Sequence, residues 1–148
     1  MKRVIFFVLL SLAVLICVEA ILIATDPLRK SNEEVRKYVL ELTPIGTSKE
    51  DVIQFIKENQ DSFKRYKRFE HYDVYEHYDY GFIIKHDRAV MLHQGYSYDD
   101  SEMIGKETIV ATIGQYPNPF DVIVFAYWAF DEQGKLIDVG ISKGSNSM

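Results

Sequence analysis

The chain after residue 30 begins with the apolar spacing of an amphipathic helix. Ser31 and Glu34 have the spacing of a capping box, which satisfies backbone N–H groups at a helix start. Apolar residues then recur at i, i+3, i+4 and i+7, and Pro44 interrupts the pattern. The four apolar positions are Val35, Tyr38, Val39 and Leu42. The spacing therefore predicts a helix that begins at Ser31 and ends before Pro44.

A second helix of the same kind is predicted directly downstream. Thr47 and Glu50 repeat the capping-box spacing, and a second apolar stripe runs to about Asn59. Its members are Val52, Phe55 and Ile56. A turn that contains Pro44 and Gly46 joins the two helices into an αα-hairpin. Because such a hairpin has two apolar stripes to bury, it needs a further layer to pack against.

The C-terminal part of the chain has the pattern of that layer. Residues 106–113 alternate between faces, residues 121–130 are apolar on both faces, and residues 135–142 alternate again. We expect a three-stranded antiparallel meander, joined by a loop over 114–119 and a hairpin loop over 131–134. The side chains expected to face the helices are Ile109, Ala111, Ile113, Ile137, Val139 and Ile141. The predicted fold class is therefore α+β, with the αα-hairpin packed on an antiparallel sheet.

The N-terminal segment is strongly apolar. Residues 4–24 follow Lys2 and Arg3 and would rise about 30 Å as a helix, which is the thickness of a bilayer's hydrocarbon core. Glu19 lies near the outer end, where an acidic side chain costs less than at the centre. The pattern predicts a membrane-spanning anchor with a cytoplasmic N-terminus and an extracytoplasmic domain.

Two alternatives stay open for this segment. It has the features of a signal peptide that is cleaved near Ala20, after which the domain is secreted. Cys17 could instead carry a lipid, although the bulky Ile16 before it differs from a lipobox.

The expected domain organisation follows from these elements. Residues 1–24 form the anchor or signal peptide, residues 25–30 a linker, and residues 31–142 the exported domain. A segment rich in Tyr and His at about 62–105 is inserted between the helices and the meander, with additional strands expected within it, and residues 143–148 form a flexible tail.

Charge and composition exclude several classes of function. The net charge of −5 would repel a phosphate backbone, which argues against nucleic acid as a partner. With Cys17 as the one cysteine, neither an intramolecular disulfide nor a four-thiolate zinc site can form. The motifs of serine hydrolases, P-loop and dinucleotide-binding proteins and zinc metalloproteases are missing from the sequence. We therefore predict a protein without catalysis and without a cofactor.

The inserted segment contains the candidate contact residues. Tyrosines suit binding surfaces because they offer a large contact area at a small cost in rotamer entropy. Those assigned to a binding surface are Tyr72, Tyr75, Tyr78, Tyr80, Tyr96 and Tyr98.

The same segment contains a tetrapeptide, Glu-His-Tyr-Asp, that occurs twice with a spacing of six. On a strand an even spacing places both copies on one face, so imidazole and carboxylate groups would meet there. The alternative metal site consists of His71, Asp73, His77 and Asp79, with His86 or His93 completing the set.

Two short motifs resemble the SmpA/OmlA-like domain, a family of small envelope lipoproteins of outer-membrane assembly. They are the helix start Gly-Thr-Ser-Lys-Glu-Asp-Val at 46–52 and the strand–turn Ala-Phe-Asp-Glu-Gln-Gly-Lys-Leu at 129–136. The resemblance covers about residues 31–60 and 106–142, and it implies an αα-hairpin on a three-stranded antiparallel sheet that acts by protein contact. The sequence lacks the family's lipobox, and it looks more similar to uncharacterised bacterial single-pass or secreted proteins of this length.

These observations together predict a membrane-tethered extracytoplasmic module that binds a protein of the cell envelope without catalysis. One alternative is a metal-binding domain that uses the His/Asp repeat. Another is a released inhibitor of an extracellular enzyme, which would need an exposed loop such as 95–105 or 114–120.

Overall fold

The chain has an α+β fold in which two helices cover one face of an antiparallel sheet. The computed structural model describes residues 10–18, 25–59, 75–91, 103–118 and 120–145. The elements are a short 3-10 helix at Pro27–Arg29, helices α1 (Asn32–Leu42) and α2 (Lys49–Glu58), and strands β1 (Glu76–Tyr78), β2 (Ile83–Lys85), β3 (Arg88–Val90), β4 (Glu107–Asn118), β5 (Phe120–Phe130) and β6 (Leu136–Ser145). Four strands form the main antiparallel sheet in the order β1-β4-β5-β6, while β2 and β3 form a separate hairpin.

Both helices begin with a side-chain cap. Ser31 and Glu34 form the predicted capping box at the start of α1. The predicted cap of α2 is wrong by one residue, because Ser48 is the N-cap and accepts a hydrogen bond from the backbone N–H of Asp51 at 3.2 Å. Thr47 instead closes the turn, with its N–H and its hydroxyl both donating to the carbonyl of Pro44. Either residue can cap a helix, so the local pattern alone did not decide between them.

The core lies between the helices and the sheet. The buried side chains of the two helices are Val35, Val39, Val52 and Ile56. They pack against apolar residues of the three long strands, which include Ile109, Ala111, Val124, Ala126, Trp128, Phe130, Val139 and Ile141. The meander therefore supplies the layer that the αα-hairpin needs.

Two predicted details of the meander are wrong, and backbone irregularities account for both. Residues 114–118 are strand rather than loop, because β4 continues past a bulge between Thr112 and Gly114 and pairs as far as Asn118. Residue 119 lies outside the described residues. Ile137 does not face the helices and is 41% exposed. A register shift at the end of β5 pairs Phe130 with Leu136, so Leu136 takes the buried position.

The β2–β3 hairpin packs on the face of the sheet opposite the helices. Phe82 and Ala89 of the hairpin form a second buried cluster with Ala129 of β5. Gly140 of β6 lies directly beneath them, and a Cβ at this position would come within 2.5 Å of the Ala89 Cβ. The close approach of the hairpin to the sheet therefore depends on a residue without a side chain.

Residues 25–30 pack on the domain. Asp26 caps the 3-10 helix by accepting from the N–H of Leu28 at 3.0 Å. Leu28 lies over the bulge of β4, where a Cβ on Gly114 would come within 2.2 Å of its side chain. The guanidinium of Arg29 stacks 4.8 Å from the ring centroid of Tyr116. These contacts fix the segment that leads into α1 against the sheet.

The predicted membrane-spanning helix over residues 4–24 is wrong. In the part of the chain that the structure describes, no helix is long and apolar enough to cross a membrane. Residues 10–18 are helical. The signal anchor and the single-pass localisation are corrected with it. Secretion after cleavage near Ala20 stays a prediction, since that residue lies outside the described ranges.

Candidate functional site

The predicted tyrosine surface is divided between the two faces of the sheet. Tyr72, Tyr96 and Tyr98 lie outside the described residues. Tyr75 packs against the core beneath the helices, with the ammonium nitrogen of Lys57 6.0 Å from its ring centroid. The structure therefore does not bring the described tyrosines together into one surface.

Tyr78 and Tyr80 lie in contact with each other at the edge of the sheet. Their rings meet edge to face with centroids 5.5 Å apart. The hydroxyl of Tyr78 donates a hydrogen bond to the carboxylate of Glu76, and this bond, with a smaller contribution from burial, raises the pKa of Tyr78 to about 12. Both rings are half-buried, so part of each is already used in packing.

The predicted metal ligands are only partly described. His71, Asp73 and His93 lie outside the described ranges, and His86 lies in the β2–β3 turn with φ 49°. His77 Nε2 is 2.9 Å from Glu107 Oε2 and 4.0 Å from an Asp79 oxygen. Among the residues that the structure describes, no group of three or more His, Cys, Asp or Glu side chains could hold a metal ion.

His77 instead belongs to a charged network that joins α2 to the sheet. Glu107 Oε2 accepts a hydrogen bond from Lys49 Nζ at 2.6 Å and also bonds His77 Nε2. The bond from Lys49, followed by that from His77, holds the pKa of Glu107 below its ordinary value of 4.5. The bond to Glu107 also raises the pKa of Lys49 above its ordinary value. The network ties the start of α2 to β4 and to the edge strand β1.

Replacing Glu107 by Gln should change how stability depends on pH on the acidic side. Because folding lowers the pKa of Glu107, its contribution is fully present above pH 4.5 and is lost as the pH falls through the folded-state pKa. We expect the fall in Tm between pH 5 and pH 3 to be shallower in E107Q. Thermal unfolding across this range measures it, with E132Q in the exposed β5–β6 loop as the control. Identical pH profiles for E107Q and the parent protein would contradict the role of this network.

An apolar groove, which was not predicted from the sequence, opens between the two helices. Tyr38 and Leu42 of α1, Phe55 of α2, Leu28 of the N-terminal segment, and Ile113 and Trp128 of the sheet line it. Its volume is about 180 Å³.

Two members of the predicted α1 stripe are left uncovered at this groove. Val35 and Val39 are fully buried, but Tyr38 is 38% exposed and Leu42 is 47% exposed. Ile45, in the turn that follows, is 57% exposed. The sequence contained one indication of this exposed surface. The apolar stripe of α1 is wider than the part of the helix that the sheet covers.

The floor of the groove is held by a buried hydrogen bond. Trp128 Nε1 donates to the hydroxyl of Thr43 at 2.9 Å, and this hydroxyl donates to the carbonyl of Val39 at 3.0 Å. Both Trp128 and Thr43 are buried. The indole therefore has a fixed position, as a pre-formed binding surface requires.

Comparison with known proteins assigns the chain to no family. No protein-family model, no curated protein and no solved structure matches the chain. The resemblance to the SmpA/OmlA-like domain stays a prediction.

Proposed function

We propose that this protein is a non-catalytic binding module, and that the groove between α1 and α2 is its contact site for another protein. The observation that carries the proposal is the exposure of Tyr38 and Leu42 beside a pre-formed apolar floor. Aromatic and aliphatic side chains around a pocket are typical of the centre of a protein interface, where an anchor residue of the partner inserts. That the partner belongs to the cell envelope stays a prediction.

The size of the groove favours an inserted side chain over a cofactor or a drug-sized ligand. Pockets for cofactors and drug-sized ligands have volumes of roughly 300–1,000 Å³. The groove has about 180 Å³, which suits one or two inserted side chains.

The polar groups of the groove support binding rather than catalysis. Asp26 accepts from the N–H of Leu28, and the side-chain amide of Asn59 donates to the carbonyl of Phe55 at 2.9 Å. Both groups are thus engaged in capping the ends of local helices. Catalysis would instead need a nucleophile or a general base directed at a substrate.

Site-specific photo-crosslinking tests the proposal. A photoreactive amino acid at position 42 should give a discrete crosslinked product in cells, and the same amino acid at position 85, on the opposite face of the molecule, should not. The charge introduced by Tyr38→Lys should reduce the product from position 42 by about tenfold, because a buried apolar anchor is worth more than 1 kcal/mol. No product above background, or equal products from both positions, would contradict the proposal.

A further inference from the structure

The charges around the groove favour one class of partner over others. Tyr38 has Glu34 at i−4 and Glu41 at i+3, so both carboxylates are its neighbours on the surface of α1. Phe55 has the same arrangement on α2, with Asp51 at i−4 and Glu58 at i+3. The four carboxylates, Glu34, Glu41, Asp51 and Glu58, are defined here as the acidic rim, and all four residues are exposed.

The hydrogen bonds of the rim leave its negative charge in place. Glu34 accepts from the Ser31 hydroxyl, Asp51 from the Ser48 hydroxyl and Glu58 from the Gln54 amide, and these partners are neutral. The hydrogen bonds from Ser31 also hold the pKa of Glu34 below its ordinary value. The hydrogen bonds described for the rim therefore come from neutral groups, while Lys30 and Lys37 offset part of the charge at Glu34.

The cations of the same two helices have their closest partners outside the rim, and Arg36 pairs with Asp138 of the sheet. Lys37 pairs with Glu33 at 3.0 Å, and Lys57 lies over the ring of Tyr75. Lys49 bonds Glu107 of the sheet. The groove also receives the C-terminal end of each helix, through Leu42 and Asn59, where the helix dipole adds negative partial charge.

We propose that the groove binds a protein segment in which an apolar anchor residue is flanked by Lys or Arg. The apolar side chain fills the space between Tyr38, Phe55 and Trp128, while its basic neighbours pair with the acidic rim. This inference rests on the proposed function and adds the chemistry of the partner. Charge complementarity of this kind gives specificity and a faster association, and it weakens as salt screens the charges.

The test selects binders from a random peptide library displayed on phage, with the full-length chain and three variants as targets. In the first variant, E34Q, E41Q, D51N and E58Q neutralise the rim. In the second, the matched control, E33Q and E50Q remove two exposed carboxylates from positions that do not flank Tyr38 or Phe55. The third is Leu42→Lys, which blocks the groove. Thermal unfolding verifies that each variant is folded.

We expect the parent protein to enrich peptides with an apolar residue next to Lys or Arg. A synthetic copy of such a peptide should bind the rim variant about tenfold more weakly at low salt and the control variant as tightly as the parent. Trp128 is the only tryptophan and lies in the groove, so its fluorescence reports the titration.

The outcomes separate this inference from the proposed function. Peptides that lack basic residues, or that bind the rim variant unchanged while Leu42→Lys abolishes binding, would overturn the basic partner alone. Peptides whose binding survives Leu42→Lys, or a selection that enriches nothing, would overturn the groove as a contact site as well.

Discussion

Replacing Gly140 by Val should destabilise the protein by about 3 kcal/mol, because the added side chain would occupy the place of the β2–β3 hairpin. A Cβ at position 140 would come within 2.5 Å of the Ala89 Cβ and 2.6 Å of the Phe82 ring. Phe82 is fully buried and Ala89 nearly so, so both belong to the cluster that the new side chain would enter. We therefore expect the hairpin to detach from the sheet.

Gly144→Val is the matched control on the same strand. Nothing lies within 4 Å of a Cβ at position 144, and Val favours an extended backbone, so the free energy of unfolding should change by about 0.5 kcal/mol or less. Urea unfolding followed by Trp128 fluorescence measures both variants, and tryptic cleavage at Arg88 reports detachment of the hairpin. Equal losses in the two variants, or a protected Arg88 in Gly140→Val, would show that the hairpin does not need the glycine.

Replacing Thr43 by Val should cost about 2–3 kcal/mol, since it removes the acceptor of the Trp128 indole N–H. The two side chains are buried and joined by a 2.9 Å hydrogen bond. Val has nearly the shape of Thr, so the main effect is to leave a buried donor without its acceptor, which costs about 1–3 kcal/mol. Thr43→Ser, which keeps the hydroxyl and loses only a methyl group, should cost about 1 kcal/mol.

A double-mutant cycle isolates this hydrogen bond. In a Trp128→Phe background the donor is gone, so Thr43→Val should cost at least about 1 kcal/mol less than in the parent protein. Circular dichroism during urea unfolding gives all four free energies, because two of the proteins lack tryptophan. A coupling energy near zero would mean that the bond does not stabilise the fold.

The sequence was sufficient for the elements whose formation is decided locally. The capping box at Ser31 and the apolar spacing that follows it predicted α1, because caps and i, i+3, i+4 contacts lie within the helix itself. The apolar run over 121–130 predicted the central strand, which lies between β4 and β6. In the C-terminal strand, the alternation of apolar and polar residues correctly predicted that Val139 and Ile141 lie in the core.

The candidate site was predicted less well, because exposure is decided by what packs nearby. Tyr75 and Tyr78 belong to one tyrosine-rich segment, yet one packs beneath the helices and the other bonds Glu76 at the sheet edge. His77 was assigned to a metal site with sequence neighbours, whereas its partner is Glu107, thirty residues away. No rule of spacing along the chain relates residues that are joined only by strand pairing.

The sequence by itself determined the existence of the two helices and of the central strand, because each depends on residues that are neighbours along the chain. The tertiary structure decided which parts of the apolar stripes are covered. Val39 and Leu42 belong to the same stripe of α1, and only the position of the sheet and of α2 buries the first and leaves the second beside an open groove. The reason is that apolar spacing defines which face of a helix avoids water, while the extent of the opposing layer determines how much of that face is buried.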